Sequence, residues 1–306
     1  MSMKKFRGVV QFIHPGAEHM VDADGWTPWN LTMHKRKFLS VAGSYVDKSE
    51  RVHNSLIAFW GEWEGPSKRV HSWADDRQLP TNLVAPVFPG AASPVDGLQN
   101  TDPYVFGSKF LYTFCKQSRR NGRTTFLAHL QPGSLILFGS QLQKQFVLDT
   151  VFVVDDDIIP HNRLTMKEGL TADVSETFRS VTLDPMYWDK NVSDNATHSL
   201  YSGAHLNSQF DSMFSFFPCL PHSDGAYARF VRPVIDIPAV INQKLQQGQK
   251  GTELLPEQTK EIWLQVVEQV RNQGLHLGIS AVEPPVSAVP DRVLPWKQNM
   301  SRSSEN

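Results

Sequence analysis

The chain is poor in the features that announce many protein classes. It has 2 cysteines in 306 residues, Cys115 and Cys219, and no Cys-x-x-Cys. That excludes a cysteine-rich zinc knot and a disulfide scaffold, and two reduced, buried thiols are expected instead. No apolar run approaches the roughly 20 residues that a membrane-spanning helix needs. The start, MSMKKFRGVVQFIHPG, follows its lysines with no long apolar core, so no secretory leader is expected and the chain reads as cytoplasmic. An excess of one charge is missing too, because 30 Lys+Arg against 31 Asp+Glu leave a formal net charge of -1. Without a general basic coat, any contact with phosphates must rest on a local patch. GxGxxG, GxxxxGK[ST], GxSxG and HExxH are all absent, which removes the usual dinucleotide enzymes, P-loop ATPases, α/β-hydrolases and zincins. No cofactor is called for, and no metal-ligand spacing stands out.

Large aromatics are abundant, with 8 Trp and 18 Phe, and the hydrophobic share of 40% suffices for a sizeable core. Strand-like segments occupy residues 4–14 and 54–64, then 135–138 and 146–154 around a polar turn, then 214–220, 228–237 and 275–282. The segment 34–44 fits either a short helix or a strand. Residues 80–101 form a proline- and glycine-rich connector, 190–212 a polar irregular stretch, and 242–253 an exposed Gln- and Gly-rich linker. Over 256–272, Ile262, Trp263, Val266, Val267 and Val270 recur at helical spacing, with Pro256 at the start and Gly274 just past the end. Strands first and one strong helix late predict an α+β fold. Its sheet is expected to be mostly antiparallel and barrel-like, with flanking helices and a long C-terminal amphipathic helix. Residues 1–240 are expected to form one domain with its core in 100–240, residues 241–289 to pack on it, and 290–306 to be a disordered tail.

Five groups of residues could carry chemistry. His14, Glu18 and His19 follow the end of the first strand, where loops often hold acid–base groups; the alternative is a plain turn. Trp26, Trp29 and Asn30 precede a basic run containing Lys35 and Arg36, so aromatic faces for stacking stand beside cations for phosphate. The two Trp serve equally well as core anchors. In Phe59-Trp60-Gly61-Glu62-Trp63-Glu64, strand alternation puts Trp60, Glu62 and Glu64 on one face. Two acids beside an aromatic can divide acid and base roles in a cavity, or simply solubilise an exposed face. Asp102 and Tyr104 open the next segment. Lys116, Arg119, Arg120 and Arg123 crowd four cations into eight residues, the best phosphate-binding candidate.

Residues 102–189 run from DPYVFGSKFLYTFCKQ through a turn glycine and two strands to DPMYWD. This order resembles the PUA-like group, which includes the ASCH and EVE domains, and within it the nucleotide-modification-associated domains of bacteria and phages. Cys115-Lys116, Gly133 and Tyr187-Trp188-Asp189 carry the likeness. Ser134 departs from the aspartate many relatives have there, and the ASCH Gly-x-Lys-x-x-Glu signature is absent. The resemblance implies an aromatic pocket for a flipped base, with Tyr187 and Trp188 as walls. Together with the carboxylates it implies recognition and processing of a modified base in DNA, with N-glycosidic cleavage in antiviral defence as the favoured reaction. The alternatives are a non-catalytic reader of modified bases, or a sugar-nucleotide or small-molecule enzyme on a β scaffold.

Overall fold

Strand β1 (Gly8–His14) is buried along its whole length, so both of its edges must find hydrogen-bond partners inside the protein. The computed structural model describes residues 5–31, 33–74, 79–91, 95, 97–119, 123–168, 174–188 and 196–294. In it, β1 pairs in parallel with β8 (Leu135–Leu142) on one side and antiparallel with β12 (Gly248–Glu253) on the other. The expected exposed linker at 242–253 therefore contains a strand, because the buried β1 needs a partner on its free edge. Gln143 and Lys144, at φ 48° and 66°, turn β8 back into β9 (Gln145–His161) as a two-residue hairpin. The sheet continues through β10 (His198–Gly203) to β7 (Leu111–Tyr112), so 190–212 is not irregular throughout.

A second, seven-stranded sheet is built on the hairpin of β3 (Lys37–Val46) and β4 (Val52–Gly61). One side adds β11 (Phe217–His222) and β13 (His276–Ala281). The other adds β6 (Asn82–Pro86), β5 (Ser67–Ser72) and β2 (Trp26–Thr27). The fold is thus mixed α+β and mostly strand, but it holds two sheets rather than one closed barrel, and β1–β8 and β3–β6 pair in parallel. Residues 228–237 do not form the expected strand. Pro233 has no donor for a ladder, and the side chains of Gln269 and Gln273 take over the backbone groups of Asp236 and Val234.

Helices are few: α1 (Arg163–Glu168), then α2 (Glu176–Phe178), which runs through a π-helical turn (Arg179–Leu183) into α3 (Asp184–Trp188), and finally α4 (Pro256–Asn272). Residues 184–188, the DPMYW end of the segment compared with the PUA-like group, are therefore helical. Helix α4 buries Ile262, Trp263, Val266, Val267 and Val270. Trp263 also donates its indole N–H to the Phe214 carbonyl, which fixes the helix against the strand-rich core. Of the expected tail, Val293 and Leu294 are buried, so 290–294 belong to the fold; 295–306 lie outside the described residues. Both cysteines are free thiols.

Candidate functional site

The register of the β3–β4 hairpin builds the site. Its last pair at the open end is Lys37 with Gly61, so the residues immediately beyond it, Arg36 and Glu62, emerge side by side. Arg36 Nη1 stands 3.0 Å from Glu62 Oε2. His14, the last residue of β1, brings Nδ1 to 3.1 Å from the same oxygen. In β9 the register against β8 shifts between Phe138 and Gly139, and Asp149 is the extra residue of this bulge. Its Oδ2 accepts from Arg36 Nε at 3.1 Å and from Ser140 Oγ at 3.3 Å. Arg232, from the irregular 228–237 segment, donates to Ser140 Oγ at 3.1 Å and lies 3.7 Å from Asp149 Oδ1. Its guanidinium sits 4.4 Å from the centre of the Trp60 ring. Both sheets therefore contribute to one charged cluster.

His34 closes the cluster. Its Nδ1 lies 2.9 Å from Glu64 Oε1 and 3.3 Å from Glu62 Oε1. Its side chain is 22% exposed, against 3% for Glu62 and 0% for Glu64, so the opening to solvent is at His34. Burial opposes charge at Glu62, but Arg36 and the histidines outweigh it and hold the carboxyl well below the usual range. Burial likewise opposes charge on His34, yet Glu64 and Glu62 raise its pKa to about 10. His14, fully enclosed, is pushed down by burial. Positive charge is thus favoured on His34 and disfavoured on His14. Burial lowers Lys37 to about 7, and its ammonium donates to the Gly65 carbonyl. Asp102 accepts from the Thr113 and Cys115 amides at 3.0 and 2.8 Å, and burial raises it to about 7 with a further push from Glu62.

The remaining expected site residues have other places. Glu18 accepts from the Thr81 and Asn82 amides, which makes it a backbone cap rather than an acid–base group. His19 is buried, and burial drives it down to about 3. Trp29 is a core anchor whose indole donates to the Gln99 carbonyl. The Asn30 amide is occupied by the Lys35 carbonyl, so it reads no base edge. Trp60 is buried in the second core cluster, with its indole donating to the Phe230 carbonyl and Arg232 of the charged cluster over its ring, so it borders the cluster but offers no open face to a base. Tyr104 donates to Glu283 at 2.6 Å and lines a separate cleft of about 340 Å³ with none of the charged cluster in it. Tyr187 is buried on His161 through its hydroxyl, which rules it out as an open pocket wall. Trp26 and Trp188 are half-buried. Arg36, at 1% exposure, is a core charge and not a phosphate contact; Lys35 beside it is half-buried. Lys116, Arg119 and Arg123 are exposed around a turn closed by the Arg119 N–H to the Arg123 carbonyl. Arg120 and Asp189 lie outside the described residues.

Sequence reasoning missed His34 as a cluster member, along with Asp149 and Arg232. A lone acid inside the apolar run FVLDTVFVV was a usable signal for Asp149. His34 was hidden inside a run read as basic, and nothing local marks Arg232. Comparison with family models, curated proteins and solved structures finds no match to this chain. Among the described residues no helix is long and apolar enough to cross a membrane.

The buried histidines give an acid-sensitivity prediction. His19, His161 and His198 have folded values near 3, 3 and 4 against an unfolded 6.5, so their stabilisation is present above 6.5 and is lost as pH falls. Asp102, raised to about 7, works the other way between its unfolded 3.8 and 7. Three groups against one leave a net loss on the order of 2 kcal/mol per pH unit below 6.5. The urea midpoint should therefore drop steadily between pH 6.5 and 4.5. A flat midpoint would show that these rings are not kept neutral by the fold.

Proposed function

We propose that this chain processes a flipped, modified nucleobase by cleaving its N-glycosidic bond at the Glu62–Glu64–His34 centre. The observation that carries this reading is the partly exposed His34 imidazole, with Nδ1 set 2.9 and 3.3 Å from two enclosed carboxylates at the edge of the cluster that reaches solvent. Cleavage builds positive charge on the sugar, which a carboxylate stabilises. The base departs with the proton from His34. The hydroxyl of an attacking water bonds to the anomeric carbon, and its remaining proton passes to Glu64. Leu31 and Met33, at 42% and 62% exposure, are exposed apolar side chains just before His34 in the chain, of the kind that hold a stack open while a base swings out. Lys116 follows Cys115, whose thiol feels Asp102, Glu62 and Lys116 together, so the exposed cations begin close to the charged cluster. The PUA-like order of residues 102–189 supports the same substrate class.

Incubation with DNA carrying modified bases should produce abasic sites, read as strand breaks after alkali. Specific binding without breaks would leave a reader in place of an enzyme. Replacing Lys116 and Arg119 by Ala should weaken binding to all sequences and flatten the salt slope by roughly 0.9 per lost phosphate contact. The narrow, enclosed centre and the net charge of -1 also favour a second reading, a free nucleotide or sugar-nucleotide substrate. Turnover insensitive to salt would select it.

A further inference from the structure

We propose that the same centre binds a divalent first-row transition-metal ion through His34 Nδ1, Glu62 Oε1 and a Glu64 carboxylate oxygen. One candidate ligand atom from each of the three residues falls within a set no more than 4.8 Å across. The Nδ1 atom stands 2.9 and 3.3 Å from the two Oε1 atoms. Ligands about 2.1 Å from one ion stand roughly 3.0 Å apart at a right angle and about 3.4 Å apart at a tetrahedral angle. The separations from Nδ1 to the two oxygens are therefore those of neighbouring ligands on a single ion.

A second observation is independent of the spacing. Glu62 Oε1 and Glu64 Oε2 are buried and make no aligned hydrogen bond, on side chains 3% and 0% exposed, whereas Glu62 Oε2 already has the Arg36 guanidinium at 3.0 Å. Buried carboxylate oxygens normally have such partners, because leaving them without costs free energy. A cation gives these lone pairs a partner. The surroundings also sort the oxygens. Arg36 and His14 both lie against Glu62 Oε2, which leaves Oε1 turned toward His34 and Glu64. Neighbours of this kind hold a metal-binding carboxylate in orientation.

The donor set selects the ion. One imidazole and two carboxylates, with no thiolate, suit zinc, manganese or iron(II). Calcium prefers six or more oxygens, and magnesium keeps most of its waters. All three ligands flank the open end of the β3–β4 hairpin, His34 before β3 and both glutamates after β4, so the fold assembles the site without help from the ion. The partly exposed His34 gives an entry path.

This inference deepens the reading above and rests on it only for the site's role. An ion held by His34, Glu62 and Glu64 would supply a Lewis acid at the place where the reading above puts acid–base chemistry. The full chain, stripped with a chelator, should be titrated with zinc, manganese and cobalt(II) by calorimetry, with cobalt also followed by its visible absorption. One ion per chain is expected, with visible bands from nitrogen and oxygen ligands. His34→Ala and Glu64→Gln should each weaken binding by at least about tenfold. Their circular dichroism should match the wild type, and His34→Ala, at the partly exposed position, keeps the test valid if Glu64→Gln misfolds. No binding by the wild type, or unchanged affinity in folded His34→Ala, overturns the site. Ion binding without abasic-site formation keeps the metal site and sinks the glycosidic reading. Abasic sites formed by chain that binds none of the three ions do the reverse.

Discussion

Arg36→Met should unfold at a much lower denaturant concentration than the wild type, with a loss of about 3–5 kcal/mol. Arg36 is 1% exposed and spans two acids, Glu62 at 3.0 Å and Asp149 at 3.1 Å. Methionine fills a similar volume, so the loss reports charge and not a cavity. It leaves Glu62 and Asp149 enclosed, with Arg232 3.7 Å away as a cationic partner for Asp149 alone. Adding Glu62→Gln to Arg36→Met should restore part of the stability, because the second change removes the stranded charge. The two effects are coupled and should not add. By contrast Lys116→Ala, at an exposed position, should stay within about 0.5 kcal/mol. Urea titrations of the wild type, Arg36→Met, Glu62→Gln, the double variant and Lys116→Ala decide this. An Arg36→Met midpoint equal to the wild type would mean that the cluster is not the buried network described.

Glu64→Gln should lower abasic-site formation by on the order of a hundredfold or more, the scale of a positioned acid or base. The amide keeps the shape and removes the charge that faces His34 Nδ1 at 2.9 Å. The loss should lie in turnover, while the DNA binding proposed for the exposed cations should stay close to wild type. Glu18→Gln is the matched control. Glu18 adjoins Arg36 only through its backbone, and its carboxylate accepts from two backbone amides and not from His34 or the glutamates, so that variant should lose stability and keep its rate. Equal rates for Glu64→Gln and the wild type would remove Glu64 from the reaction. Loss in Glu18→Gln, with stability intact, would move the site back to the His14–His19 loop.

Some of this was legible in the chain alone. The apolar run ending at His14 is a strand, and the spacing from Ile262 to Val270 marks the side of its helix that is buried. Such patterns are local, since alternation and helical periodicity depend on neighbours a few residues away. Glu62 and Glu64 could be paired by their spacing, but the spacing did not show that Trp60 is closed off by Arg232 and the core around it. The strand at 248–253 was invisible because its polar, glycine-containing sequence pairs only to satisfy the second edge of β1. Chain order likewise said nothing of the aromatics. Trp29, Tyr104 and Tyr187 fit a base pocket by residue type, and packing placed them in the core. The charged cluster draws on residues 14, 34, 36, 62, 64, 149 and 232, and its geometry depends on a hairpin register, a parallel pairing and one bulge. The sequence by itself determined where apolar surface must be buried and that no net charge would dominate. Tertiary structure alone decided which cations, histidines and further acid join Glu62 and Glu64, because burial makes each charge depend on a partner that the sequence places far away.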